Sequence, residues 1–268
     1  MTTKSSQASK VVEDATREAA RDDRERTHSP SAMRAATKRV EELQRLTGLE
    51  RFIFENALTI VALAFFLVSM LGLVMAGHSA YNEDQRQHGQ PTVSVPGYLT
   101  SGHFTEAIGE NWESAFLQMG VFVLLTRYLY QRGSSESKSI EGAEAVDEDP
   151  SDARNDPNAP WPVRRGGMWL ALYRNSLSGV LLLMFALSLW LHAAGGAAKY
   201  NENQRAHNEP TVSTIGYVGT SEFWFESFQN WQSEFFSVGV LALLTIWFRQ
   251  KGSPQSKPVA APMEDTGE

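Results

Sequence analysis

The chain has 268 residues, a formal net charge of −7 and no cysteine. The acidic balance argues against nucleic acid as a partner, which calls for a basic face or stripe. The missing thiols exclude disulfides, thiolate metal centres and a cysteine nucleophile. Mean hydropathy is negative, but the average conceals a segregation: polar residues gather at both ends and in the middle, apolar ones in four runs.

Residues 1–51 read as a charged cytoplasmic segment, partly disordered. Over residues 1–35, Ser, Thr, Ala and charges of both signs leave little to bury, and no apolar stretch resembles a signal peptide. Val40, Leu43, Leu46, Leu49 and Ile53 recur every three or four residues, which predicts an amphipathic helix leading into the membrane.

Residues 52–133 form the first unit. Its first span, about 56–77, is free of charge and long enough to cross a hydrocarbon core of roughly 30 Å. The outer loop covers 78–111. A second span, about 112–130, is reached by starting at Trp112 and letting Arg127 snorkel to the surface. Residues 134–166 are rich in Asp and Glu among Ser, Gly, Ala and Pro, the composition of a flexible acidic linker. The second unit, 167–252, repeats the plan with spans at about 175–197 and 231–248 and an outer loop at 198–230. Residues 253–268 read as a disordered tail.

Basic residues sit beside the spans on one side: Lys38, Arg39, Arg45 and Arg51; Arg127, Arg132 and Lys138; Arg164, Arg165 and Arg174; Arg249, Lys251 and Lys257. The excess of Lys and Arg on cytoplasmic loops then places both termini and the linker inside and both loops outside.

Aligned with itself, the chain shows YNEDQRQHGQPTVSVPGYLTSGHF from Tyr81 against YNENQRAHNEPTVSTIGYVGTSEF from Tyr200, an offset of 119 residues (200 − 81). The offset holds without a gap from Asn56/Asn175 to Lys138/Lys257. The fold class expected is therefore an all-α integral membrane protein. Its four transmembrane helices come from two tandem parallel two-helix repeats with structured outer loops. Each unit has an even number of spans, so both copies enter the membrane in the same direction, about an axis along the membrane normal.

Polar identity between the loops points to a shared hydrogen-bonded shape or a shared ligand. The candidates are Tyr81, Asn82, Glu83, Arg86 and His88, with Tyr200, Asn201, Glu202, Arg205 and His207. Glu83 and Arg86 can pair on one helical face. Pro91-Thr-Val-Ser and Pro210-Thr-Val-Ser favour extended chain, and Ser101 and Thr220 are candidate helix starts. Trp112 and Trp231 are expected at headgroup level as interface anchors. Inside the membrane, Gln118, Ser69/Ser188, Gly120/Gly239 and Thr126/Thr245 are explained by helix packing. No buried carboxylate or lysine chain of the proton-relay kind is expected there.

The combined pattern YNE-x-Q-x-x-H-x-x-P-x-VS, GY, NW-x-S, LT, then QRGS or QKGS with a downstream SK, resembles a group of uncharacterised bacterial membrane proteins described as a domain-of-unknown-function family. It covers Phe52–Lys138 and Tyr173–Lys257, and implies a membrane location and the repeat, with no catalytic or ligand residues to carry over. A carboxylate at Glu234 is matched by Ala115 in the other copy.

The expected role is a structural or interaction component of the bacterial cytoplasmic membrane, acting through its paired loops and not an enzyme. The expected partners are the lipid bilayer and a membrane protein or a second copy of the chain. Neither a cofactor nor a metal is expected. A small transporter or channel is the alternative; weaker still is a metal or catalytic site built from Glu83, His88, Glu202 and His207.

Overall fold

The computed structural model describes residues 30–140 and 142–267, so the expectation for residues 1–29 lies outside the described residues. Those residues are helices and turns, with no strand. The chain divides into two compact units, residues 1–73 and 74–268.

The first unit holds α1 (Pro30–Arg45) and α2 (Gly48–Glu55), which take up the segment where the three-and-four spacing predicted one helix but break it at Leu46 and Thr47. Asn56 then caps α2 through its backbone N–H to the Phe52 carbonyl, and α3 (Ala57–Gln87) begins. At about 1.5 Å per residue, the 31 residues of α3 outrun a hydrocarbon core of roughly 30 Å by several turns. The C-terminal part of the helix, beyond the apolar run, carries Tyr81 to Arg86.

In the second unit the chain leaves α3 in extended form and enters α4 (Val95–Leu99) and α5 (Gly102–Tyr128). After α6 (Trp161–Arg165) and α7 (Gly167–Tyr173) come α8 (Ser176–Ala206), α9 (Thr214–Val218) and α10 (Ser221–Trp247). Among the described residues, α3 and α8 are the two helices both long and apolar enough to cross a membrane. Their apolar side chains point outward, with Leu58 86% and Phe65 71% exposed. A soluble core helix would bury them.

The tightest packing joins α5 and α8, which run antiparallel. A Cβ on Gly109 would collide with the His192 backbone, and one on Gly195 with the backbone of Glu106. Gly120 lies against Leu181 and Leu182 at the other end. Small residues let two backbones approach this closely where no hydrophobic effect drives association. Ala193 and Ala197 on the same stretch of α8 are buried with Tyr217 and Phe223.

Two segments differ from expectation. Residues 253–267, read as a disordered tail, turn back on the chain. Lys257 is buried and its ammonium donates to the carbonyls of Met263 and Asp265 at 3.0 and 2.8 Å. Gly267 N donates to Ser134 O at 3.1 Å, and Gly133 N to Thr266 Oγ1 at 2.9 Å. A buried ammonium needs acceptors, and the looped tail supplies them. The linker, read as flexible, contains 3₁₀ turns at Ala145–Asp147 and Asp152–Asn155, with Lys138 Nζ 2.6 Å from Asp147.

Candidate functional site

The repeated loop residues act mainly on their own loops. Asn82 Nδ2 donates to the Val93 carbonyl at 3.0 Å while Val93 N donates to Asn82 Oδ1 at 2.7 Å. Asn201 and Val212 form the same reciprocal pair, both bonds 2.8 Å. Each asparagine thus satisfies both backbone groups of an extended residue that has no sheet partner. Ser94 and Ser213 accept from Gly97 N and Gly216 N at the start of α4 and α9, and Ser101 and Thr220 cap α5 and α10. The short helices press Tyr98 against Gly77 and Tyr217 against Gly196, each tyrosine fully buried.

The other sequence candidates are spread over the loop surface. Glu83 pairs with Arg86 at 2.9 Å, as expected of positions three apart. Glu202 Oε2 accepts instead from Tyr81 OH of the other loop at 3.1 Å. The His88 and His207 rings come within 6.4 Å, but each Nδ1 is engaged by its own helix, at Asp84 O and Asn203 O. Tyr200 rests on Tyr217. Among the described residues, Glu83, His88, Glu202 and His207 do not converge on one point as metal ligands would; a different set does.

That set lies where α5, α8, α9 and α10 meet. Glu106 and Glu113 are two helical turns apart on α5, and His192 and Lys199 two turns apart on α8. Antiparallel packing sets Glu113 beside His192 and Glu106 beside Lys199. His192 is fully buried: Nδ1 lies 3.1 Å from Glu113 Oε2, Nε2 lies 3.2 Å from Glu226 Oε2, and the ring stacks on Phe223 at 4.7 Å. Tyr217 OH lies 2.8 Å from Glu226 Oε2 and 3.3 Å from Glu106 Oε1. Lys199 Nζ lies 2.6 Å from Glu106 Oε2 and 3.5 Å from Glu226 Oε1. Trp231, expected as an interface anchor, donates its indole N–H to Glu113 Oε1 at 3.2 Å; Trp112 is 37% exposed.

The expectation that no buried carboxylate chain exists is therefore corrected. Glu106 and Glu113 of α5 are both buried, Glu113 fully. Identity between the two copies does not reveal this carboxylate chain, because its charged residues are not shared, although Tyr217 and Trp231 match Tyr98 and Trp112. The positions equivalent to Glu106, Glu113, His192, Lys199 and Glu226 are Phe225, Gln232, Leu73, Ala80 and Ala107. The signal was present as seven-residue spacing of Glu106 with Glu113 and of His192 with Lys199.

The electrostatics follow from burial and crowding. Burial, reinforced by Glu226 and Glu106, pushes the Glu110 carboxyl up to about 7. Burial also raises Glu106, against the pull of Lys199. Glu226 is partly buried, yet hydrogen bonds from His192 and Tyr217 outweigh the burial and hold it below the ordinary carboxylate range. Such a cluster can hold a cation, or relay a proton through Glu113, His192, Glu226, Tyr217 and Glu106.

A family model, Domain of unknown function (DUF6766), matches residues 49–268. The chain belongs to the DUF6766 family. The matched DUF6766 region contains both loops and every member of the buried cluster. No curated protein and no solved structure matches the chain.

Proposed function

We propose that this DUF6766 protein is a four-span protein of the bacterial cytoplasmic membrane that takes up a cation at the Glu106–Glu113–His192–Glu226 cluster, as a small transporter. In this reading α5 and α10 complete the crossing with α3 and α8, the two tandem units run parallel, and the termini are cytoplasmic. The cluster then sits near the outer headgroups, where ions arrive. The bilayer is the partner, and no catalytic step is assigned.

The observation that carries the reading is an excess of carboxylates, Glu106 and Glu113 buried and Glu110 and Glu226 partly so. Glu106, Glu110, Glu113 and Glu226 share their surroundings with two basic groups, Lys199 and His192. Uncompensated buried charge is costly, and inside membrane proteins it marks ion or proton pathways. Purified protein in liposomes should give saturable uptake of a cation from a panel of protons, sodium, potassium and divalent ions. Uptake no greater than that of empty vesicles for every ion would contradict transport.

A structural or interaction role through the loops is the second reading, favoured by His88 and His207 standing side by side on the exposed surface. Recovery of one specific membrane partner, lost in a His88→Ala, His207→Ala double variant, would support it.

A further inference from the structure

We infer that the cluster is a binding site for one divalent first-row transition-metal ion, with His192 Nε2 and the carboxylates of Glu106 and Glu226 as its protein ligands. This inference rests on the reading that the cluster takes a cation, and names which kind.

The donor set comes first. One ligating atom from each of these three side chains can be chosen so that all lie within 4.8 Å of one another. Neighbouring donors on a tetrahedral ion bonded at about 2.1 Å stand about 3.4 Å apart, so these side chains reach a common ion by drawing together. Imidazole with two carboxylates suits zinc, manganese or iron(II). Copper(I) would want sulfur, and these three donors offer only nitrogen and oxygen. Two carboxylates and a neutral imidazole also cancel a double positive charge.

The surroundings of His192 give an independent reason. A metal-bound histidine usually donates its other ring N–H to a carboxylate, which fixes the tautomer and the ring. Glu113 Oε2 stands 3.1 Å from His192 Nδ1, and Glu113 Oε1 is itself held by the Trp231 indole at 3.2 Å. With Nδ1 protonated toward Glu113, Nε2 turns its lone pair to the space between Glu106 and Glu226. Phe223, stacked on the ring, keeps it there. A plain buried ion pair has no need of an oriented second carboxylate and its indole donor.

Lys199 supplies the reversibility. Its ammonium is paired with Glu106 and Glu226, the same two carboxylates, yet its side chain remains 38% exposed. Metal and ammonium compete for the same oxygens, and the lysine has solvent into which it can swing. The ion is therefore exchanged against a built-in cation, which fits uptake and release better than permanent storage.

The test uses full-length protein in detergent, stripped with chelator and titrated calorimetrically with zinc chloride, with cobalt(II) absorption as a second probe of ligation. One ion per chain is expected, with visible cobalt bands typical of nitrogen and oxygen ligands. Glu226→Gln should abolish binding. Glu113→Gln keeps the shape of the side chain and should weaken binding 10–100-fold, the range found when an outer partner of a ligating histidine is lost. Lys199→Met should bind more tightly. His88→Ala with His207→Ala should bind as the unaltered chain does. Folded, monodisperse protein that binds no zinc or cobalt overturns the metal inference. So does binding that is lost only with His88 and His207. If such protein still moves protons or sodium into liposomes, cation uptake stands and the metal assignment alone has failed.

Discussion

The two repeated loops share an asparagine brace and hydroxyl caps, yet the tyrosine each one buries meets different chemistry. Tyr98 packs among His78, Tyr81, His103 and Phe104 and reaches only His103 Nδ1, at 3.4 Å. Tyr217, its equivalent 119 residues on, reaches two carboxylates. The loops are one device used twice: an asparagine holds an extended residue, a hydroxyl caps a short helix, and the helix drives a tyrosine onto a glycine. What differs is supplied by neighbours, with His192 where the first copy has Leu73 and Glu226 where it has Ala107. The brace is common to both loops, and the charged cluster sits where their sequences differ.

The comparison can be broken most severely at the glycines. Gly195→Val places side-chain atoms where the Glu106 backbone lies, so α5 and α8 must separate. A loss of more than about 3 kcal/mol is expected, visible as aggregation on size exclusion. Gly239→Val meets open space and should leave the elution profile unchanged.

The asparagines test whether the two braces are equivalent. Asn201→Leu orphans the Val212 N–H and carbonyl and should cost about 2 kcal/mol. After Asn82→Leu the Val93 carbonyl keeps His78 Nε2 at 2.8 Å, so the loss should be smaller, about 1 kcal/mol. Equal shifts in thermal unfolding would show that the His78 contact adds nothing to the first brace.

The tyrosines sharpen the difference. Tyr217→Phe removes a hydroxyl held by Glu226 and Glu106, and hydrogen bonds to charged groups contribute about 1.5–3 kcal/mol. Tyr98→Phe gives up one long contact and should cost less than about 1 kcal/mol. Reversal of that order would mean that Tyr217 is mere packing.

How far the sequence could be read depends on which physics each part obeys. Lipid demands long apolar helices with internally satisfied backbones, so the runs before Gly77 and Ala198 announced α3 and α8. Side-chain caps are local, so Ser101 and Thr220 marked helix starts. The match of Asn82 to Asn201 revealed a shared shape, though which backbone atoms they hold depends on the fold of each loop. The buried cluster was illegible for a different reason. Glu106 and Glu226 are 120 positions apart (226 − 106), and only the close approach allowed by Gly109 and Gly195 sets α5 against α8. The tail eluded composition because one buried ammonium, Lys257, organises it.

A further expected effect is one of pH. Glu110 has an ordinary value of 4.5 and is pushed up to about 7 in the fold, with Glu226 and Glu106 opposing its ionisation and His192 and Lys199 favouring it. The folded protein thus holds a proton that the unfolded chain releases. Its contribution is fully present below pH 4.5 and is lost as pH rises through about 7. Thermal unfolding of metal-free protein between pH 5 and 8 should show this decline, and Glu110→Gln should flatten it.

The most direct measurement sets the cluster against the loops in one transport experiment. Liposomes containing the unaltered chain, Glu226→Gln, or His88→Ala with His207→Ala are compared for cation uptake at equal protein incorporation. Uptake should vanish with Glu226→Gln and persist in the double histidine variant. Uptake that survives Glu226→Gln and disappears with the loop histidines would return the function to the repeated loops.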